Sequence, residues 1–208
     1  MLRWLAIVDL VGLPLLIALY IWRLQFTTPR TWIVFLAWLA ASFVLHRDTP
    51  KTLGWRADNL GRATRNATVA LGALAVVLLA IGFVLGAPRQ LPPHFASWGH
   101  FWSYFAFCLL QQVALNSLLN NRLMELVPER WLSSLLAGVI FAALHWPNPV
   151  LVPATLIGGI MFAALFARER NIIPLAVVQA ILGTMLWWAF PLAWHHRLRV
   201  GPGYYDPW

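Results

Sequence analysis

Charge is what this sequence has least of. Only 11% of its 208 residues are Asp, Glu, Lys or Arg, where soluble domains carry about 25%. So few charges cannot cover a water-facing surface, which excludes a soluble globular protein. Acidic residues number seven, and the net charge is +8. Cysteine is all but absent: Cys108 stands alone in an apolar run, which excludes an intramolecular disulfide and a cysteine metal site. The Lys and Arg residues are dispersed between apolar runs and form no continuous stripe. Nucleic acid is therefore not the expected partner; anionic lipid head groups are.

What is present is apolar sequence, 61% of the chain, with a mean hydropathy of +0.70. A membrane span needs about 20 such residues. The expected fold is an all-α polytopic bundle of about seven spans, six to eight in all. They read as Trp4–Trp22, Thr31–Leu45, Ala67–Ala87, Trp98–Leu119, Trp131–His145, Val150–Ala167 and Ile172–Trp194. The first contains Asp9 and Pro14 and lacks a small-x-small cleavage site, so it reads as a retained anchor rather than a signal peptide. The polar stretch 46–66 reads as a connector with a short helix lying at the interface, and Asn120–Arg130 as a turn. Residues 1–97 are expected to form anchoring scaffold, 98–194 the functional core and 195–208 a tail.

Tryptophans near the ends of the runs, Trp22, Trp98 and Trp131 among them, suit an aromatic belt. With the N-terminus inside, Arg3, Arg47, Lys51, Arg56, Arg62, Arg65, Arg122, Arg130, Arg168 and Arg170 lie inside. Arg23, Arg30, Arg89, Arg197 and Arg199 lie outside. That excess favours a cytoplasmic N-terminus, in what is expected to be a bacterial inner membrane.

Polar residues within spans face the bundle interior because lipid penalises them. They gather in the second half: Gln111, Gln112, Asn116 and Asn120 on the fourth run, His145 and Asn148 at the end of the fifth, and Gln179 on the seventh. Gln112, Asn116 and Asn120 share one helix face. His145 lies 34 residues after Gln111 and 34 before Gln179. Three helices could thus bring these groups to a similar depth. For any one of them taken singly, ordinary interhelical hydrogen bonding is the better explanation.

Phe141-Ala142-Ala143-Leu144-His145, the following Trp146-Pro147-Asn148-Pro149, and the run from Gly158-Gly159 to Asn171-Ile172-Ile173-Pro174 resemble the CPBP family (CAAX-protease and bacteriocin-processing, also called Abi). The resemblance spans Trp98 to Trp188. It implies an intramembrane metalloprotease core with paired glutamates and an arginine on one helix, Phe-x-x-x-His on the next and a second histidine on the last. Here Gln111-Gln112 stand for the glutamates, Asn116 for the arginine, Gln179 for the second histidine and Gly183 for the last polar residue; His145 alone is kept. Phe141 and Asn148 are its motif-supporting neighbours.

Glutamine has the shape of glutamate but takes no proton near neutral pH. Losing a general base costs about 10²–10⁴ in rate. Catalytic zinc usually takes three protein ligands, and the motif positions offer only His145. Three readings follow. One is a degenerate protease scaffold that binds a membrane-embedded or lipidated peptide. Another is an active protease with a rearranged site, and zinc, around His145, helped by the histidines at 94, 100, 195 and 196. The last is a small transporter, which lacks a midspan acid or base to couple ions.

Overall fold

The computed structural model describes residues 2–86 and 92–206, without the side chains of Leu2 and His94. Part of the expected connector at 88–97 and the last two tail residues lie outside that description. Every regular element among the described residues is helical. The principal helices are α1 (Leu2–Leu19), α2 (Trp32–Leu45), α3 (Leu60–Val84), α4 (Trp98–Gln112), α5 (Asn121–Leu126), α6 (Arg130–Ala143), α7 (Leu151–Glu169) and α8 (Ile172–Ala189).

Four helical stretches have the length and composition to cross a bilayer: Arg3–Thr27, Leu60–Val84, Leu151–Glu169 and Ile172–Ala189. Pro29–Leu45 and Arg130–Ala143 are shorter but apolar. Large apolar side chains such as Val69, Val76, Phe83 and Val84 point outward. In water they would drive aggregation; in hydrocarbon they are the natural surface. The chain is an integral membrane protein in an α-helical bundle.

α6 and α7 form a close hairpin. A Cβ on Gly138 would lie 2.8 Å from the Ile160 nitrogen and 3.0 Å from the Leu156 oxygen, so only glycine lets the two backbones approach this far. α8 packs against α3 and α4, while α1 packs against α2 and α5.

Three boundaries differ from the sequence expectation. The turn expected over 120–130 is confined to residues 127–129. α4 continues through a π-helical stretch, Val113–Asn120, into α5, so one rod runs from Trp98 to Leu126. Asn120, Asn121 and Arg122 stay helical because each finds partners inside the bundle, as described below. The stretch 46–66 holds no interfacial helix either. Residues 46–59 form successive turns, and α3 begins at Leu60. Backbone contacts into the core hold those turns in place. Ile172 N–H donates to Gly54 O (3.1 Å), Ser117 Oγ to Leu53 O (2.5 Å) and Asn121 Nδ2 to Thr52 O (3.0 Å). Gly54 has φ +87°, and a Cβ there would meet Phe166 at 2.6 Å. Finally, α8 ends at Ala189, ahead of Pro191, and Leu192–His195 is a separate short turn.

The ends of the bundle are stitched separately. At one end Arg62 and Asn66 both donate to the Glu169 carboxylate (each 2.7 Å), and Asn171 donates to Arg56 O (2.8 Å). At the other, Gly201 N–H donates to Trp146 O (2.9 Å). Asn148 Nδ2 there donates to His195 O (2.8 Å) and Arg199 O (2.9 Å).

Candidate functional site

The rod from Trp98 to Leu126 carries a ladder of side-chain amides. Asn120 Nδ2 donates to Ala163 O (2.9 Å) and to Asn116 Oδ1 (3.3 Å). Asn116 Nδ2 donates to Gln112 Oε1, and Gln112 Nε2 to Gln179 Oε1 across to α8, both at 2.6 Å. Gln179 Nε2 then donates to Gln111 Oε1. The helix widens to π geometry along this ladder, a local device common at functional sites. Gln112, Asn116 and Asn120 are wholly buried.

Gln111 and Gln179, by contrast, reach a cavity of about 1010 Å³ between α1, α2, α3, α4, α7 and α8. Most of its wall is apolar, from Leu13, Leu39, Leu78, Phe107, Phe162 and Leu186 among others. His145 and Phe141 also line it. The three motif positions Gln111, His145 and Gln179 therefore share one cavity. Gln112 and Asn116 stand behind its wall, as supports for Gln179 and Gln111.

His145 sits over Phe141, ring centroids 4.7 Å apart, with Nδ1 2.7 Å from Phe141 O. A carbonyl only accepts, so Nδ1 carries the proton, and the neutral ring keeps Nε2 as an acceptor. Asn148 is structural. Its Oδ1 accepts from Val150 and Leu151 N–H, each at 3.0 Å, at the start of α7.

Sequence reasoning left position 183 without a polar group. The space there is taken by Tyr104, whose hydroxyl oxygen lies 2.1 Å from where a Gly183 Cβ would stand. Tyr104 also lines the cavity. A phenol seven residues before Gln111, on the same face of α4, was the available signal.

The outer histidines do not assemble around His145. His195 is buried against Trp187, ring centroids 5.0 Å apart, and accepts from Leu198 N–H. His196 stacks on Tyr204 and donates to its backbone oxygen (2.6 Å). His100 Nδ1 pairs with Ser97 Oγ (2.7 Å). The side chain of His94 lies outside the described residues. Among those described, no three His, Cys, Asp or Glu residues come together as a metal site. The donor set does not fit catalytic zinc, which needs about three such ligands.

A second polar network went unread in the sequence. Arg122 is wholly buried and donates to Asp9 (3.2 Å), Ser42 (3.0 Å), Asp48 (2.6 Å) and Glu125 (2.9 Å). Trp38 Nε1 donates to the other Asp9 oxygen (2.9 Å), and His46 lies 3.4 Å from both Asp9 and Glu125. Asp9, a lone acid within a membrane span, was its sequence signal.

Fold and cavity together define a membrane-embedded helical protein with a polar site at the wall of an apolar chamber. Residues 97–185, from α4 into α8, match the family described as Rce1-like, Type II CAAX prenyl endopeptidase. That match supports the resemblance of this part of the chain to the CPBP, or CAAX-protease, family. No curated protein and no solved structure matches the chain.

Proposed function

We propose that this protein keeps the CAAX-protease scaffold, has given up peptide-bond hydrolysis and binds a membrane-embedded or lipidated peptide in its cavity. The observation that carries this reading is the amide ladder. The positions where the resemblance expects glutamates and a second histidine hold glutamines bonded to one another. None can take a proton from water near neutral pH, which removes a factor of about 10²–10⁴. Zinc has no part in this reading, since His145 is the only metal-type donor at the motif positions. The excess of Arg and Lys in the segments beside Asp9 and Arg122 supports placing that end, and the N-terminus, in the cytoplasm of a bacterium.

The test is purified protein with a prenylated peptide, followed for binding and for cleavage. Saturable binding with an intact peptide is the expected result. Cleavage that is lost in His145→Ala would overturn it in favour of an active, rearranged site. One observation favours that second reading: His145 presents an acceptor nitrogen to the same cavity as Gln111 and Gln179. Metal analysis of the double variant Gln111→Glu, Gln179→His gives a further check. Zinc gained by that variant and absent from the parent is the outcome expected of a protease site that has lost its donors.

A further inference from the structure

The amide ladder has a direction. Its orientation is fixed at the buried end, where Asn120 Nδ2 meets the Ala163 carbonyl at 2.9 Å. Turning that amide over would set two acceptors face to face. Each following amide then accepts on its oxygen and donates from its nitrogen: Asn120 to Asn116 to Gln112 to Gln179 to Gln111. The last oxygen, Gln111 Oε1, is occupied. What the ladder offers the cavity is therefore Gln111 Nε2, an N–H donor with no partner among the described residues. Amides donating in series polarise one another, which strengthens the terminal donor.

Glutamates at positions 111 and 112 would present acceptors there, suited to a cation or to a water's proton. The glutamine ladder inverts that polarity. No carboxylate lines the cavity among the described residues, and its walls suit a hydrocarbon chain. The volume of about 1010 Å³ is at the upper end for a small-molecule site. Arg197, in the segment after α8, is the charged residue on the lining.

We propose that the cavity is a receptor for a neutral acyl carbonyl at the head of a long apolar chain, with Gln111 Nε2 as the donor to the carbonyl oxygen. This rests on the reading above that the cavity binds rather than cleaves, and it names the group that is bound. An amide or an ester of a fatty acid has this chemistry; an amine or a bare alkane does not.

The test uses the full-length protein in detergent with four probes of one chain length: hexadecanamide, hexadecanoate, hexadecylamine and hexadecane. Hexadecanamide is expected to bind about tenfold more tightly than hexadecane or hexadecylamine, the effect of one buried hydrogen bond. In Gln111→Glu, which still accepts from Gln179, the order should invert in favour of the amine. Side-chain amide protons of Gln111, followed by ¹⁵N-labelled glutamine NMR in the parent protein, should shift on adding hexadecanamide. This reads the same contact should the variant fail to fold. Equal binding of all four probes, or no shift at Gln111, would overturn the proposal. So would tightest binding of hexadecanoate lost in Arg197→Gln. Peptide binding that is indifferent to Gln111→Glu would remove this inference and leave the proposed function. A carbonyl preference without any peptide binding would do the reverse.

Discussion

Two buried polar networks stand on one helical rod, and they are built in opposite ways. Near the Leu126 end, Arg122 gathers Asp9, Asp48 and Glu125 from α1, the connector and α5. Further along, Gln112, Asn116 and Asn120 make a ladder with no formal charge. The ionic network ties in the thinly packed first span, whose most apolar stretch is 17% buried, against 39% for α7 and α8. The neutral network lies among the better-buried helices and ends at a cavity. Charge here serves attachment of the periphery, and neutral amides serve the site, where an unpaired ion would impose its own ligand.

The comparison breaks most sharply at Arg122. Arg122→Met strands the buried carboxylates of Asp9 and Asp48 and frees the partly exposed Glu125, and removing one partner of a buried ionic cluster costs about 3–5 kcal/mol. Thermal unfolding in detergent should show a large drop, and protease digestion should reveal α1 and α2 detaching first. A drop no larger than that of an amide variant would erase the distinction between the networks.

Gln112→Leu should do less. It leaves the Gln179 oxygen and the Asn116 amide without partners, at about 1–3 kcal/mol. Its sharper effect should be on ligand binding, because Gln179 is no longer held toward Gln111. The two measurements, stability and binding, should therefore rank the Arg122 and Gln112 variants in opposite orders.

The smallest effect should come from Asp58, on an exposed turn of the connector. Arg56 donates a side-chain hydrogen bond to it and holds its carboxyl down to about 2. A carboxyl depressed in this way contributes fully above its unfolded value of about 4 and loses that contribution as the pH falls toward 2. Asp58→Asn should leave the unfolding midpoint at pH 7 unmoved, because exposed pairs are screened by water. A clear shift would mean that the turn belongs to the ionic network.

Most of the helices were legible in the sequence because hydropathy reports lipid exposure directly. Their ends were not, because an end is set by partners. Arg62 lies inside α3 because Glu169 is there to meet it. Asn120, Asn121 and Arg122 stay helical because Ala163, Thr52 and Asp48 accept from them. The spacing put Gln111, His145 and Gln179 at a similar depth, and all three line one cavity. The direction of the ladder depends on the Ala163 carbonyl, a backbone group that no sequence pattern marks. Tyr104 over Gly183 is a pair whose meaning exists only once α4 and α8 are side by side.

The widened stretch Val113–Asn120 also acts as a phase setter. Each residue in an ordinary α-helix advances the side chains by about 100°. Passing through π geometry shifts the bearing of everything beyond it. Gln111 looks into the cavity and Arg122 looks toward Asp9 because the slack between them is taken up in those eight residues. One residue fewer there would still leave a helix of similar length and hydropathy. It would nonetheless swing the guanidinium away from α1, and the receptor end and the anchored end of the rod would no longer be in register.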